Sequence, residues 1–205
     1  MRFRVFRPLA ALVAAIGIAA IAMPASAQYT SRYEFLNGVR NGDFEAVRAA
    51  VEQPGSTVIN AREERTGDGA LHIVTRNRSL QWLLYLLRAR ANPNLTDRDG
   101  NTALHIASQI GWAEGVHWLN VVQANVNATN GRGETPLVLA VQQRNSEIVQ
   151  QLIEAGADPD ITDAVVGRSA MDYARQDPRG GQILSILESA QPREEQRQVV
   201  GPVLD

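Results

Sequence analysis

Three histidines are the side chains of this 205-residue sequence best suited to proton transfer or metal binding. His72 and His105 occupy the same place in two similar phrases, GALHIV and TALHIA, and His117 lies further along the chain. A metal or catalytic site needs converging partners, and the sequence has no HExxH motif and no cysteine to pair with a histidine. We therefore interpret His72 and His105 as hydrogen-bonding partners of the turn that begins their own helix. We expect no catalytic residue, no bound metal and no cofactor.

One acidic run is similar to the start of a calcium-binding loop. It reads Asp97-Arg98-Asp99-Gly100-Asn101, but the twelfth position of such a loop is Ser108 here, where the calcium loop has glutamate. We interpret Asp97 and Gly100 as turn residues, because a short acidic side chain and a glycine are what a tight turn uses.

Two short motifs that could serve a nucleophile or a phosphate are incomplete. The segment 167–171, GRSAM, lacks the second glycine of a nucleophile elbow, and its Ser169 is better placed to cap a helix. The segment 131–133, GRG, lacks the preceding strand that a phosphate-binding turn requires. The sequence therefore predicts that the protein is not an enzyme.

The elements that position these residues follow a fixed period. Leu71, Leu104 and Leu137 recur at a constant interval, and Met171 follows in a similar phrase one position later than that interval predicts. A fixed interval of this length is typical of a stacked array of repeats. The ends of the repeats match in the same register, at residues 90–94, 123–127 and 156–160.

Each phrase has the residues that begin a helix. Thr102 and Thr135 are suited to cap the first turn with their hydroxyl groups, and Pro136 suits the first helical position. Ser169 followed by Asp172 is close to a capping box. The sequence thus predicts a short first helix in every repeat.

A second helix follows in each repeat. Gly111 should end the first helix, and Gly156 should hold a left-handed backbone after the second, a slot filled by Arg90 and Gln123 in other repeats. Two helices of this size cannot bury their apolar faces alone, so the repeats must stack. The expected inward-facing residues of the second helices are Leu83, Leu86, Leu87, Val116, Leu119, Ile148, Val149, Leu152 and Ile153.

These phrases resemble an ankyrin-repeat protein. The family phrase T-P-L-H-x-A is matched by residues 102–107, TALHIA, and less fully by residues 135–140, TPLVLA; the ending Gly-Ala-Asp-Pro-Asn is matched by residues 156–160, GADPD. The resemblance covers about residues 32–190. It implies an all-α solenoid of helix–turn–helix units with hairpin-like finger loops, and a concave face that binds another protein.

The sequence divides into a leader, a linker, an array and a tail. We expect a signal peptide at 1–27, a short frayed linker at 28–31, an ankyrin-repeat domain at 32–190 and a disordered tail at 191–205. The array should have about five units, at residues 32–61, 62–96, 97–129, 130–162 and 163–190.

The leader, residues 1–27, has the features of a secretory signal. Arg2, Arg4 and Arg7 precede an apolar run, and residues 25–27, ASA, form a small-x-small cleavage site. We expect cleavage after Ala27 and a location in the periplasm of a bacterial-type cell or outside it. Cleavage leaves 17 basic and 22 acidic side chains, a balance that disfavours nucleic acid and anionic membranes as partners. The partner that the resemblance implies is another protein, and we also expect a monomer.

The resemblance also implies where the partner binds. In the family, contacts come from the residues just before the repeated phrase and from the end of the first helix. We expect a scaffold for protein–protein interaction; the alternative is a periplasmic accessory subunit or stabiliser that an exported enzyme needs for activity. An ordinary solvated surface remains the competing interpretation for any single position. The candidate partner-binding residues are Arg65, Thr66, Asp68, Arg76 and Asn77, then Arg98, Asp99, Asn101, Gln109 and Ile110, then Arg132, Glu134, Gln142 and Gln143.

Overall fold

The structure, a computed structural model, describes residues 25–190. Most of the expected leader and all of the tail at 191–205 therefore lie outside the described residues. Within the described range the regular elements are ten α-helices and one short 3₁₀ turn at Val58–Asn60. The helices are α1 Ala25–Asn41, α2 Phe44–Glu52, α3 Ala70–Arg76, α4 Leu80–Arg88, α5 Ala103–Gln109, α6 Ala113–Val121, α7 Pro136–Gln142, α8 Ser146–Glu154, α9 Ala170–Gln176 and α10 Gly181–Ala190.

The ten helices of the described range form five antiparallel pairs that stack in chain order. The odd-numbered helices α1 to α9 pack side by side as an inner row, and each contacts the next. The even-numbered helices form an outer row, in which α4, α6, α8 and α10 pack in sequence. This arrangement confirms the expected all-α solenoid of helix–turn–helix units.

The start of the array differs from the expectation. Residues 28–31, expected to be a frayed linker, lie inside α1, which begins at Ala25. Phe35, Leu36 and Val39 are buried on one face of this helix and anchor it. No proline or glycine interrupts residues 25–31, so the helix extends back from that anchor. The expected cleavage point after Ala27 thus falls within a helix.

The helix starts follow the local signals. Thr135 Oγ1 accepts a hydrogen bond from the Val138 backbone N–H at 3.2 Å, and Pro136 occupies the first turn as expected. Ser169 Oγ accepts from the Asp172 backbone N–H at 3.2 Å, and the Asp172 carboxylate accepts from the Ser169 backbone N–H at 3.1 Å. The expected capping box is therefore present.

The helix ends have the left-handed backbone that was expected after the second helices, and they have it at two further positions. Gly156, Arg90 and Gln123 have positive φ, as expected, with values of 90°, 63° and 59°. Arg78 and Arg144 also have positive φ, of 50° and 56°, at the position that Gly111 fills in the third repeat. The sequence analysis missed these two, because nothing in an arginine signals a left-handed backbone.

One continuous apolar core runs through the stack. The period-defining Leu71, Leu104, Leu137 and Met171 are all buried between the helix rows. The expected outer-row positions are fully buried at Leu83, Leu86, Val116, Leu119, Ile148, Val149 and Leu152, while Leu87 and Ile153 are half-buried against the core.

Candidate functional site

The third finger, residues 97–101, is built around a buried carboxylate. Asp97 Oδ1 accepts from the backbone N–H groups of Asp99 at 3.0 Å and Asn101 at 2.8 Å. Its Oδ2 accepts from the Arg76 guanidinium at 3.1 Å. Both oxygens are therefore used to shape the turn, as the turn interpretation predicts, and they do not point out as calcium ligands.

The fourth finger, residues 130–134, uses an asparagine and a buried glutamate. Asn130 Oδ1 accepts from the backbone N–H groups of Arg132 at 2.9 Å and Glu134 at 3.0 Å. The Glu134 carboxylate accepts from Arg132 Nε at 2.9 Å and Arg132 Nη2 at 2.6 Å, and from Asn130 Nδ2 at 3.1 Å. Burial raises the pKa of Glu134, but the hydrogen bonds from Arg132 and Asn130 outweigh it and hold that pKa below its usual value.

Successive fingers are joined through their backbones. The N–H of Arg98 donates to the Thr66 carbonyl at 3.0 Å, that of Gly131 to the Asp99 carbonyl at 2.7 Å, and that of Ala164 to the Arg132 carbonyl at 2.8 Å. This close approach of two backbones requires glycine at position 100, since a Cβ there would lie 2.7 Å from the Gly131 nitrogen. The fingers therefore form one hydrogen-bonded row.

The histidines of the repeated phrase, His72 in α3 and His105 in α5, join these two inner helices to the next finger. His72 Nδ1 accepts from the Gly69 backbone N–H at 2.9 Å, and its Nε2 donates to the Asn101 carbonyl at 3.0 Å. His105 bonds the Thr102 N–H at 3.2 Å and the Glu134 carbonyl at 3.0 Å in the same way. Burial lowers the pKa of both imidazoles, which favours their neutral form. The structural interpretation is confirmed, and the bond to the next finger is an addition to it.

Seven of the candidate residues meet at a depression between the third and fourth fingers, with a volume of about 570 Å³. We call this depression the central depression. It lies on the concave side, where fingers and inner helices face the same solvent. Its candidate residues are Arg76, Arg98, Asp99, Asn101, Gln109, Arg132 and Glu134, and the sequence analysis missed Asn130, Gly131 and Leu139.

The other candidates lie elsewhere. Asp68 is held by Arg76 at 3.0 Å, and Thr66 donates to the Glu63 carboxylate at 2.7 Å. Arg65 lines a separate cleft beside α1. Asn77, Ile110, Gln142 and Gln143 lie at the C-terminal ends of α3, α5 and α7, outside the lining of the central depression.

A family model described as ankyrin repeats, in three copies, matches residues 71–163. Residues 71–163 are ankyrin repeats. The match begins in α3 and ends at the base of the fifth finger, so it spans the helix pairs α3–α4, α5–α6 and α7–α8. A comparison with curated proteins finds no match.

The ankyrin repeats imply a scaffold for protein interaction and belong to a family that is typically non-catalytic. Within residues 25–190, no group of three or more His, Asp or Glu side chains is placed to hold a metal ion. None of the helices in that same range is both long and apolar enough to cross a membrane.

Polar groups on the concave side of the ankyrin repeats divide into two kinds. Asp97, Asn130 and Glu134 are turned inward and hold the fingers in shape. The side chains exposed beyond that frame are those of Arg98 and Gln109, with the outer edge of the Arg132 guanidinium. Arg98 Nη2 also donates to the Glu64 carbonyl of the preceding finger. The frame is therefore fixed before binding, and the projecting donors and acceptors can contact a partner at little cost in ordering.

Proposed function

We propose that the protein is exported and binds another protein through its concave face, centred on the central depression. The observation that carries the proposal is the exposed group formed by Arg98, Gln109 and Arg132 on fingers that are joined by backbone hydrogen bonds. Guanidinium groups offer planar donors, and glutamine offers a donor and an acceptor, a combination suited to a protein surface.

Photo-crosslinking tests where the partner binds. A photoreactive residue replaces Gln109 in one variant and Gln81 in a control variant, both within the exporting host. Gln81 is an exposed glutamine on α4 in the outer row, so it reports contacts on the opposite side of the array. We expect a discrete adduct at Gln109 and none at Gln81. The reverse pattern would place the partner on the outer helices and contradict the proposal.

Export rests on the leader sequence, with its arginines, apolar run and ASA site at 25–27. The intact mass of protein recovered outside the inner membrane of the host tests this part. We expect a chain that begins at Gln28; recovery of a chain that retains residues 1–27 would contradict it.

A further inference from the structure

A second depression lies at the N-terminal end of the array, between α1 and the second finger, residues 62–69. We call it the basic cleft, and its volume is about 360 Å³. Cavities of this size are within the range of ligand-binding pockets, about 300–1,000 Å³. Four arginines and two glutamates supply its charge, and the lining is Arg32, Tyr33, Leu36, Arg40, Arg62, Glu63, Glu64 and Arg65.

Two of the four arginines are used by the fold. Arg40 pairs with the Glu63 carboxylate at 3.2 Å, so these charges offset each other. Arg62 Nε donates to the Gly67 carbonyl at 3.3 Å, and its guanidinium also donates to the Thr96 carbonyl at the end of the same repeat. These contacts hold the second finger in place and leave little of either group for a ligand.

The other two arginines are not used in this way. Arg32 and Arg65 are both exposed, and neither side chain makes an ion pair or a hydrogen bond with another residue of the described range. Both residues line the same cleft, Arg32 from α1 and Arg65 from the second finger. Guanidinium groups bind carboxylates through paired hydrogen bonds.

The cleft also offers an apolar contact. The Tyr33 side chain is 63% exposed, and the buried Leu36 lies beside it in the lining. An exposed tyrosine flanked by arginines has the composition of the residues that dominate protein interfaces.

We propose that the basic cleft binds an acidic, extended segment of the protein partner, with carboxylates on Arg32 and Arg65 and an apolar side chain against Tyr33. The inference rests on the proposed function, since it describes a second contact of the same partner. The remainder of the chain after cleavage carries more acidic than basic side chains, so the basic cleft, with four arginines and two glutamates, is a local exception that favours an acidic segment.

Fluorescence anisotropy with a defined probe tests the inference on the whole processed chain. The probe is a fluorescein-labelled decapeptide of alternating glutamate and serine with one central leucine; a second probe has glutamine in place of glutamate. We expect the variant Arg32→Gln with Arg65→Gln to bind the acidic probe roughly tenfold more weakly, because two charge-assisted contacts are lost.

The matched control removes two other exposed arginines. Arg88→Gln with Arg179→Gln changes the net charge by the same amount, and neither residue lines the basic cleft. We expect less than about a twofold effect, because distant surface charges are screened by salt. An equal loss in both double variants, or binding of the glutamine probe with similar affinity, would overturn the inference. Displacement of the probe by equimolar inorganic phosphate would show a small-anion site and would overturn it as well.

Failure of the basic cleft as a binding site can be distinguished from failure of the proposed function. A partner that crosslinks at Gln109 but binds the Arg32→Gln, Arg65→Gln variant with unchanged affinity overturns the second contact alone. If no adduct forms at Gln109 but the acidic probe binds the Arg32→Gln, Arg65→Gln variant roughly tenfold more weakly, the concave-face site is overturned and the basic cleft remains the binding surface.

Discussion

At the scale of single residues, the backbone strain of the array lies at the helix ends. Four residues other than glycine have positive φ in the described part of the chain: Arg78, Arg90, Gln123 and Arg144. Such a backbone costs an L-residue roughly 1–2 kcal/mol. Arg144 offsets this cost because its guanidinium binds Asp177 of the next repeat at 2.5 and 3.1 Å, and Arg78 likewise reaches the Ile110 carbonyl.

Gln123 has no such compensation, since its side chain makes no hydrogen bond within residues 25–190. We expect Gln123→Gly to raise the free energy of unfolding by about 0.5–1 kcal/mol, less any loss from the added freedom of the unfolded chain. Urea melts measure it. Arg144→Gly is the control, and should bring no gain because it also removes the pair with Asp177. Unchanged or lowered stability of the Gln123 variant would contradict the strain argument.

Ser108 places a polar side chain in the core, as Thr75 does at the equivalent position of the preceding repeat. The Ser108 side chain is fully buried, and its hydroxyl has no hydrogen-bond partner among the described residues. The next repeat has Val141 at this position. We expect Ser108→Ala to leave the free energy of unfolding unchanged or to raise it by up to about 1–2 kcal/mol, because an unsatisfied buried polar group costs that much. A thermal melt showing clear destabilisation would mean that the hydroxyl has a partner after all.

At the scale of elements, the fingers depend on close backbone contact. We expect Gly100→Ala to destabilise the array by more than Gly42→Ala, although both residues have similar positive φ, of 80° and 73°. A Cβ at Gly100 would meet the Gly131 nitrogen, whereas a Cβ at Gly42 meets no atom within 4 Å. Each variant bears the left-handed cost of roughly 1 kcal/mol, and the excess at Gly100 measures the contact between fingers. Equal losses in urea melts would contradict the close contact between Gly100 and the fourth finger.

The histidine links between elements predict a pH dependence. An unfolded histidine has a pKa of about 6.5, and burial lowers the pKa of His72 and His105 in the folded array. Below about pH 6.5 the histidines of the unfolded chain bind protons that His72 and His105 of the folded array do not. The contribution of these two histidines to the free energy of unfolding is therefore present above about pH 6.5 and is lost as the pH falls below it. The Glu134 pKa is below its ordinary 4.5, so its contribution is lost only at more acidic pH.

Unfolding free energies between pH 7.5 and 5 measure this effect. We expect stability to fall across the range, and the fall to flatten in the double variant His72→Gln with His105→Gln. His117→Gln serves as the control, because His117 is exposed on α6. A slope that is the same in all three proteins would mean that other groups cause the fall.

The elements show which features can be predicted from sequence. Thr135, Ser169 and Gly156 were predicted because a cap depends on a few neighbouring residues. The hydrogen bond from His105 to the Glu134 carbonyl could not be predicted, since it depends on the distance between two stacked repeats. For the same reason the sequence did not show that Glu134, a predicted partner contact, is buried beneath Arg132. The sequence also did not place Arg32 and Tyr33 beside a cleft, because α1 has no repeat phrase to position it.

At the scale of the whole molecule, five helix pairs share one core and hold their fingers in a single row. The central claim is that the partner binds the surface that this row presents, and the affinity of the partner identified by crosslinking tests it most directly.

The test variant is Arg98→Ala with Gln109→Ala; Arg132 is kept, because its removal would leave the Glu134 carboxylate buried without a cation. The control variant, Gln81→Ala with Arg88→Ala, changes the same residue types on the outer helix α4. We predict an affinity loss of at least about tenfold for the test variant, with melts within about 0.5 kcal/mol of the parent in both variants. Equal affinities for the parent and the test variant would contradict the account.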